Sequence, residues 1–268
     1  MENISILEGE VIAVVRRAVD LVRDTGFSVS EKGDVTDIVT SNDILSQNFL
    51  IEELGKLIPG SGFHSEEGVC DKNKEYVWII DPIDGTANYS RGIADCAISV
   101  ALCRGGKVVL GVVCSIGTGE VYSATIGGGA RLNGRPISTS KKDFASSMLC
   151  TAMSLYRKEY AKVCSDIIFD IYMQSNDLRR FGSCALELCY IAAGRCELYF
   201  EIRVFPWDYA AGYLILKEAG GVIGGLGGEE LDFSRPTVVV AANNSENYET
   251  ITNIVSKHLK KHRTRNRI

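Results

Sequence analysis

Residues 76–89 read Tyr-Val-Trp-Ile-Ile-Asp-Pro-Ile-Asp-Gly-Thr-Ala-Asn-Tyr. The apolar residues that open this stretch predict a buried strand. The strand ends in two carboxylates, Asp81 and Asp84, and the following Gly85-Thr86 turn predicts a helix start whose N–H groups can bind phosphate oxygens. Carboxylate oxygens are the ligands that Mg²⁺ prefers, and phosphate often completes such sites. The pattern therefore favours a cation and a phosphate bound side by side.

The composition is that of an ordinary globular protein from a reducing compartment. The 268 residues are 46% hydrophobic and 24% charged, which is typical of globular chains. Nine cysteines occur without a C-x-x-C pair, and Cys used as a small hydrophobe is typical of the cytoplasm. The acidic segment 1–10 lacks the features of a secretory signal. We therefore expect a cytoplasmic protein.

Charge and hydropathy narrow the range of partners. The formal net charge of −5 disfavours a general nucleic-acid binder. No apolar run approaches the roughly 20 residues that span a bilayer, so no membrane partner is expected. The basic run from Lys257 to Arg267 is interpreted as a solvated helix end. A tail that binds nucleic acid or a membrane surface is the alternative for this run.

Hydrophobic periodicity and turn signals predict an α+β chain. Helices are predicted over 5–24, 156–171, 182–193 and 208–219, and residues 40–43 can cap another helix. Strands are predicted at 76–81, 95–103, 107–115, 119–125, 197–201 and 237–241. Because the strands come in runs, the order favours α+β layers over a simple βαβ fold.

Acidic residues gather at four places along the chain. These are Asp34, Asp37 and Asp43, then Glu66 and Glu67, then Asp81 and Asp84, and finally Asp208. The Glu66-Glu67 pair alone suits a solvated loop, and Asp208 alone suits a helix N-cap. Asp81 differs, because a carboxylate at the end of a buried strand needs a partner and a divalent cation is a natural one. Convergent acids without matching Lys or Arg residues repel one another unless a metal neutralises them.

Three motifs stand in order along the chain: Gly62-Phe-His-Ser-Glu-Glu67, Trp78-Ile-Ile-Asp-Pro-Ile-Asp-Gly-Thr-Ala-Asn-Tyr89 and Pro206-Trp-Asp-Tyr-Ala-Ala-Gly212. Together they resemble the inositol monophosphatase family of Mg²⁺-dependent, Li⁺-sensitive phosphatases. Matching residues also occur at 37–40 with Asp43, and at 129–134, 182–183, 218–221 and 241–244. The resemblance covers nearly the whole chain, and the two aspartate motifs in this order are highly specific.

The resemblance implies a fold and a domain organisation. The fold is the layered α-β-α-β-α sandwich of the sugar phosphatases, an α+β architecture. A single catalytic domain would span residues 1–268, with a half that binds metal and phosphate at about 1–145 and a half that faces the substrate at about 146–268. The family also implies a homodimer.

The resemblance further implies two to three Mg²⁺ ions. One ion would be held by Glu66, Asp81 and the backbone carbonyl of Ile83. A second would be held by Asp81, Asp84 and Asp208, so that Asp81 bridges the two ions. A pair of ions about 3.5–4 Å apart can activate a water and brace the phosphate for in-line displacement.

The remaining catalytic roles also come from the family resemblance. Thr86 and Asp43 match the pair that orients the attacking water. Glu67 would support a third, looser ion or its water shell, and is therefore expected to take part in catalysis. Gly85 and Thr86 would offer backbone N–H groups to the substrate phosphate. No covalent phosphoenzyme is implied.

The substrate's alcohol portion would lie against residues from both halves. Beyond Asp84 and Asp208, the resemblance points to Ser183, Cys184 and Glu201. A carboxylate such as Glu201 can accept hydrogen bonds from polyol hydroxyls, and a solvated strand end is its alternative interpretation. Relatives commonly have alanine at the position of Cys184, a small change that keeps a pocket floor plausible.

The expected function is hydrolysis of a small polyol phosphate, with inositol monophosphate as the leading substrate. Relatives with this fold that hydrolyse fructose 1,6-bisphosphate, histidinol phosphate or nucleotide 3′-phosphates remain alternatives. A non-catalytic metal-binding or regulatory homologue is an alternative of another class, which the complete acidic set disfavours. The motif Asp-x-Asp of haloacid-dehalogenase-type phosphatases does not match, because Asp81 and Asp84 are three residues apart and lie deep in the chain.

His64 is disfavoured as a metal ligand. The chain contains only three histidines, and the other two lie in the basic run near the C-terminus. This also disfavours a zinc enzyme, because zinc sites commonly use histidine.

Overall fold

The computed structural model describes residues 2–34, 37–153, 158–227 and 229–265. The helices are α1 (Glu2–Asp24), α2 (Ser41–Leu57), α3 (Thr86–Tyr89), α4 (Ala161–Tyr172), α5 (Cys184–Ala192), α6 (Pro206–Glu218) and α7 (Ser245–Arg265), with a 3₁₀ turn at Lys158–Tyr160. The strands are β1 (Val29–Asp34), β2 (Asp37–Thr40), β3 (Gly62–Ser65), β4 (Tyr76–Asp84), β5 (Ala97–Arg104), β6 (Lys107–Ser115), β7 (Val121–Thr125), β8 (Gly129–Leu132), β9 (Arg135–Pro136), β10 (Met148–Thr151), β11 (Asp177–Arg179), β12 (Leu198–Val204), β13 (Val222–Gly224) and β14 (Thr237–Ala242).

The strands form two large sheets and one small ribbon. The first sheet has seven strands in sequence order from β3 to β9, and only the β3–β4 pair is parallel. The second has five strands in the order β11-β10-β12-β14-β13, with β10 parallel to both of its neighbours. Strands β1 and β2 pair by themselves. The site described below lies where β4 ends.

The sheets and helices alternate in five layers. Helices α1 and α2 cover one face of the seven-stranded sheet, and α5 and α6 pack between its other face and the five-stranded sheet. Helices α4 and α7 cover the outer face of the second sheet. The predicted α-β-α-β-α sandwich is confirmed.

Strand β4 shows how the sequence produces this layering. Side chains alternate between the two faces of a strand, so Trp78 and Ile80 enter the core beneath α1 and α2, and Ile79 enters the core beneath α5 and α6. All three are at most 3% exposed. Burial of each such side chain contributes roughly 1.5–3 kcal/mol to the stability of the fold. Packing on both faces therefore holds β4, and the residues at its end, in place.

The structure contains elements that the sequence pattern does not predict. Strands β8, β9, β10, β11 and β13 have two to four residues each, too few for a periodic signal. Strand β1 reads Val-Ser-Glu-Lys-Gly-Asp and has no apolar alternation. These strands depend on pairing with neighbours and not on local propensity.

The interpretation of the basic C-terminal run as a solvated helix end is only partly right. Helix α7 continues to Arg265, and Leu259 is buried at 8% exposure. The ring of His258 lies 2.7 Å from a carboxylate oxygen of Asp170 on α4. The run is therefore amphipathic, with one face docked on α4. No helix in the described ranges is long and apolar enough to cross a membrane.

Gly111 on β6 lies directly against the backbone of α6. A Cβ at this position would lie 2.7 Å from the carbonyl oxygen and 3.1 Å from the Cα of Ala211. We expect Gly111→Ala to lower the free energy of unfolding by about 1–3 kcal/mol, because backbone must move to admit the methyl group.

Gly9 provides the matched control, since it lies exposed in α1 with no atom within 4 Å of its Cβ position. Gly9→Ala should raise stability by about 0.5–1 kcal/mol. Urea denaturation measures both changes, and equal effects of the two substitutions would contradict the proposed packing constraint.

Candidate active site

The two aspartates of the central motif lie at an irregular end of β4. The pairing of β4 with β5 shifts register between Asp81 and Asp84, an irregularity of the kind that bends a strand locally, and Asp84 still pairs with Ala97. Asp81 and Asp84 are 2% and 8% exposed. One oxygen of Asp81 accepts the N–H of Ile83 at 3.0 Å, which holds the turn in place. The strand thus presents two buried carboxylates on one short loop.

Gly85 joins this loop to the short helix α3. Its φ of 89° lies in the left-handed region, which glycine adopts without strain. A Cβ would lie 3.0 Å from the carbonyl oxygen of Asp95 and 3.1 Å from that of Gly182. Glycine is therefore required for two reasons, and it lets the chain start α3 at Thr86.

Thr86 and Asp43 are in contact, although they are far apart in sequence. The Thr86 hydroxyl lies 3.2 Å from one oxygen of Asp43 and 3.0 Å from the carbonyl oxygen of Ile83. The other oxygen of Asp43 accepts the N–H and the hydroxyl of Thr40 at 2.8 and 2.5 Å, within the capping box of α2. The predicted cap at residues 40–43 thus also aims the Asp43 carboxylate at Thr86.

The Glu66-Glu67 turn follows β3, which lies beside β4. The Glu66 N–H donates to the carbonyl oxygen of Ile80 at 3.3 Å. Gln47 of α2 exchanges two hydrogen bonds with the backbone of Glu67, at 3.1 and 3.2 Å, and also bonds the Ser65 hydroxyl. The turn is therefore fixed by α2 and by β4, and both glutamates are half-buried.

Asp208 is the third residue of α6 and not its N-cap, so the alternative structural interpretation of this residue is wrong. The helix begins at Pro206, which suits the first turn because proline has no N–H to lose. One oxygen of Asp208 reaches back to accept the N–H of Phe205 at 2.9 Å. This bond closes the start of the helix and leaves the other oxygen of Asp208 for further contacts.

The turn before α5 contacts Asp84 directly. One oxygen of Asp84 accepts the Ser183 hydroxyl at 2.6 Å and the Ala185 N–H at 2.7 Å. The Tyr199 hydroxyl lies between two further side chains. Its oxygen is 3.0 Å from Cys184 Sγ and 2.8 Å from Glu201 Oε2. The predicted substrate-side residues Ser183, Cys184 and Glu201 therefore lie along one path from Asp84.

The carboxylates raise one another's pKa values. Burial is the main cause of the raised pKa of Asp81, and the negative charges of Glu66, Asp84, Asp208 and Asp43 add to it. Burial also raises the pKa of Asp208, with Asp84 and Glu66 contributing. It raises the pKa of Asp84 to about 6, although the hydrogen bonds from Ser183 and Ala185 oppose the shift. The structure thus brings Asp43, Glu66, Asp84 and Asp208 within electrostatic reach of Asp81, while the side chains of Asp34 and Asp37 lie outside the described residues.

Asp43, the water-positioning residue predicted on α2, also has a raised pKa. Burial raises the pKa of Asp43, and its hydrogen bonds from Thr40 and Thr86 work against that rise. The charge of Glu67 adds to the rise, which links the Glu66-Glu67 turn to the Asp43–Thr86 pair. The predicted catalytic residues therefore occupy one neighbourhood.

The donor chemistry of this cluster fits Mg²⁺. Within residues 2–34, 37–153, 158–227 and 229–265, no Lys, Arg or His forms an ion pair with Asp81, Asp84 or Asp208. As the side chains stand in these ranges, no group of three or more His, Cys, Asp or Glu residues is placed to hold a metal ion. Buried carboxylates without cationic side chains are costly unless a metal binds them. Oxygen donors of this kind suit a hard cation such as Mg²⁺.

Sequence reasoning misses three residues that hold the site together. Gln47 fixes the Glu66-Glu67 turn, and Asn88 of α3 donates to the carbonyl oxygens of Asp95 and Phe181 at 2.7 and 2.6 Å. Buried Glu187 of α5 accepts the N–H groups of Phe181 and Gly182 at 2.8 and 3.1 Å. The only sequence signal for Gln47 is its helical spacing of four residues from Asp43.

Glu201 gives a pH-dependent prediction. Burial raises its pKa from 4.5 to about 7, Asp84 adds to the rise, and the Tyr199 hydroxyl opposes it. The unfolded chain releases this proton near pH 4.5 and the folded chain only near pH 7, so stability falls as pH rises between these values. Glutamine does not ionise, so the Glu201→Gln variant should not lose this stability. As pH rises through the window, its free energy of unfolding should therefore rise relative to that of wild type. The gain should be on the order of 1–3 kcal/mol.

Urea denaturation at pH 5 and pH 8, in EDTA, measures this difference. Tyr199→Phe is the companion variant, since it removes the hydrogen bond that opposes the rise and should increase the loss of stability between the two pH values. Wild type and Glu201→Gln that respond identically to pH would show that Glu201 ionises normally in the folded protein.

Comparisons with known proteins bear on this site. The sequence pattern of the inositol monophosphatase family matches residues 3–260. The Nus factor SuhB of Xylella fastidiosa is 37% identical over 188 residues, which cover 70% of this chain and 68% of that protein. The fructose-1,6-bisphosphatase/inositol-1-monophosphatase of Thermotoga maritima is 36% identical over 203 residues, or 76% of this chain and 77% of that protein.

A solved structure agrees with the fold. The IMPase of Thermotoga maritima superimposes with a TM-score of 0.86 at 29% sequence identity. The match covers 98% of this chain and 100% of that one. The similarity thus extends over all five layers and both sides of the acidic cluster.

Proposed function

Since the chain belongs to the inositol monophosphatase family, we propose that it is a Mg²⁺-dependent phosphomonoesterase that hydrolyses a small polyol phosphate. Inositol monophosphate is the leading substrate. The observation that carries the proposal is the group of buried carboxylates at the end of β4, which lies beside the Thr86–Asp43 pair. Such a group suits a bound cation next to a positioned water.

Two to three Mg²⁺ ions are proposed, as for the family. Glu66, Asp81, Ile83 through its carbonyl oxygen, Asp84 and Asp208 would hold them, with Glu67 supporting the loosest ion. Bound Mg²⁺ would supply Lewis-acid activation of water and neutralise charge on the phosphate. The protein contributes the rigid strand end that fixes the ligands, and the N–H groups of Gly85 and Thr86 at the start of α3.

The Thr86 hydroxyl positions the nucleophilic water. Asp43 accepts hydrogen bonds from Thr40 and Thr86 and is thereby oriented toward the cluster. A hydroxyl that donates to such a carboxylate keeps its lone pairs available to accept a proton from water. The water would give its proton to the Thr86 oxygen while the Thr86 hydroxyl gives its own proton to Asp43. Asp43 would thus act as a general base through Thr86.

The alcohol end of the substrate would lie between Asp84 and Glu201. Above pH about 7 Glu201 is ionised and can accept hydrogen bonds from ring hydroxyls. Ser183 and Cys184 line the path between the two carboxylates. A polyol with several adjacent hydroxyls matches this arrangement. A homodimer in the cytoplasm is the proposed assembly and location.

A panel of phosphate esters tests the activity and the substrate. It should compare inositol monophosphates, fructose 1,6-bisphosphate, histidinol phosphate and a nucleoside 3′-phosphate, each with Mg²⁺, with Mg²⁺ and Li⁺, and with EDTA. We expect Mg²⁺-dependent release of phosphate, fastest from an inositol monophosphate and inhibited by Li⁺. Preference for fructose 1,6-bisphosphate would replace the substrate assignment and keep the reaction, in line with the double name of the Thermotoga maritima relative.

A second candidate function follows from another relative's name. The Xylella fastidiosa protein is called a Nus factor, so a role as a Nus factor, with or without catalysis, is the alternative of another class. The complete set of acids at positions 43, 66, 67, 81, 84 and 208 favours the enzyme. Failure of every ester in the panel to release phosphate would favour the alternative.

A further inference from the structure

Glu187 is a buried acid beside the acidic cluster that is neither a proposed metal ligand nor a proposed substrate contact. Its side chain is 1% exposed and lies in the first turn of α5. Burial raises the pKa of Glu187, and the charges of Glu201 and Asp84 add to the rise. A carboxyl group at this depth is costly unless hydrogen bonds offset the loss of water, so the partners of Glu187 indicate its role.

One oxygen of Glu187 holds the turn that precedes its own helix. Glu187 Oε1 accepts the N–H of Phe181 at 2.8 Å and the N–H of Gly182 at 3.1 Å. Gly182 has a φ of 87°, in the left-handed region that glycine adopts without strain. Successive N–H groups that converge on one point form a concavity suited to an anion, and the Glu187 carboxyl group fills it.

Helix α3 holds the same turn from the opposite side. The Asn88 side-chain amide donates to the carbonyl oxygen of Phe181 at 2.6 Å and to that of Asp95 at 2.7 Å. Its nitrogen lies only 3.1 Å from the position that a Cβ would take on Gly182. Phe181 is therefore fixed at its N–H by Glu187 and at its carbonyl by Asn88, and the turn lies directly against the helix that would bind phosphate.

The turn determines how Asp84 is oriented. The Ser183 hydroxyl donates to Asp84 Oδ2 at 2.6 Å and accepts the N–H of Leu186 at 3.3 Å, so its one proton is committed to Asp84. The N–H of Ala185 donates to the same oxygen of Asp84 at 2.7 Å. These bonds occupy Oδ2 and leave Oδ1 as the oxygen that can meet a cation.

We propose that Glu187 is a positioning residue for the metal site, because it fixes the 181–183 turn and the turn fixes the carboxylate of Asp84. The inference rests on the proposed function, which assigns Asp84 to Mg²⁺. Glu187 would touch neither the ion nor the substrate and would act through the backbone N–H groups of Phe181 and Gly182. Removal of a group that orients a metal ligand commonly costs 10–100-fold in metal affinity or activity.

Two substitutions separate the hydrogen bonds of Glu187 from its charge. Glu187→Gln keeps an oxygen that can accept both N–H groups and should retain the Mg²⁺ affinity of wild type. Glu187→Leu has a similar size but no acceptor, so the two N–H groups lose their partner and the turn should move. We expect Mg²⁺ to bind the Glu187→Leu variant about tenfold more weakly than wild type.

Calorimetry of Mg²⁺ binding and ¹H–¹⁵N NMR of the metal-free protein in EDTA measure these effects. The N–H of Ala185 reports the contact between the turn and Asp84. Its signal should stay in place in Glu187→Gln and move upfield in Glu187→Leu, as a weakened hydrogen bond requires. Neither measurement needs turnover. A wild-type protein that bound no Mg²⁺ would refute the proposed function, and the Ala185 signal would still decide whether Glu187 positions Asp84.

Glu197→Leu is the matched control. Glu197 is also fully buried, and it accepts the N–H of Met148 at 2.7 Å and the hydroxyl of Ser140 at 2.9 Å, neither of which has a proposed role in the site. The substitution removes a buried acceptor, as Glu187→Leu does, and should lower stability. It should leave both the Mg²⁺ affinity and the Ala185 signal unchanged.

Asn88→Ala replaces Glu187→Leu in the test if the leucine variant does not fold. It releases the carbonyl of Phe181 from α3 and should weaken Mg²⁺ binding and move the Ala185 signal in the same direction. Wild-type Mg²⁺ affinity together with an unmoved Ala185 signal, in whichever of these two variants is measured, would overturn the proposal. A Glu187→Gln variant with Mg²⁺ affinity reduced as far as in Glu187→Leu would overturn it too, because the charge and not the hydrogen bonds would then matter.

Discussion

Asp81→Asn should abolish Mg²⁺-dependent phosphate release while leaving the fold intact. Asparagine keeps the oxygen that accepts the Ile83 N–H at 3.0 Å, so the turn at the end of β4 is preserved. It removes the negative charge that would bridge two ions. We expect a loss in kcat of at least about 10³-fold, comparable to the loss of a principal electrostatic contact in an active site. Phosphate release from the best ester of the panel measures this change.

Stability measurements make this prediction specific to metal binding. Burial and the neighbouring acids raise the pKa of Asp81, so its ionised form destabilises the folded protein at neutral pH in EDTA. The variant should therefore be as stable as wild type or more stable above pH 7, and this advantage should vanish below pH about 4, where the unfolded carboxyl is protonated too. Added Mg²⁺ should raise the Tm of wild type by binding the folded state, and raise that of the variant less.

Asp177→Asn is the matched control, because Asp177 lies half-exposed on β11, where its carboxylate pairs with Arg179 at 2.6 Å and accepts the N–H of Leu178. It should change neither activity nor the response to Mg²⁺. An Asp81→Asn variant that keeps near-wild-type activity would disprove the metal assignment. A variant that loses activity together with its fold in EDTA would instead show that Asp81 is structural.

The acids of the site could be predicted from sequence because their motif is local. Asp81, Asp84, Gly85 and Thr86 fall within six residues, and the apolar run before them already predicts that they lie at a buried strand end. The distant members, Glu66 and Asp208, could be added only through the family resemblance. Their electrostatic coupling to Asp81 depends on the parallel β3–β4 pair and on the packing of α6, which no local pattern encodes.

The supporting residues could not be predicted because their roles exist only after packing. Gln47 meets the Glu67 backbone 20 residues away, and Glu187 closes the turn before its own helix. A glutamine or glutamate at an ordinary helix position has no signature that separates it from a solvated residue.

Thr86→Val should reduce kcat about 10²-fold with little change in Mg²⁺ binding or KM. The Thr86 hydroxyl lies between Asp43 at 3.2 Å and the carbonyl oxygen of Ile83 at 3.0 Å. Valine has a similar shape but cannot hydrogen-bond, so the link between Asp43 and the attacking water is lost. Loss of a positioned proton-transfer group typically costs 10²–10⁴-fold, roughly the size expected here. Steady-state kinetics over a range of Mg²⁺ concentrations separates kcat from metal affinity.

Two further variants decide between water positioning and a structural role for Thr86. Thr86→Ser retains the hydroxyl and should recover most of the activity lost in Thr86→Val. Thr118→Val, in the turn between β6 and β7, removes a threonine hydroxyl that accepts the N–H of Glu120 and should leave kcat unchanged. A Thr86→Val variant that lowers Mg²⁺ affinity but keeps kcat at saturating Mg²⁺ would contradict the water-positioning role, because the hydroxyl would then support the metal through the Ile83 carbonyl.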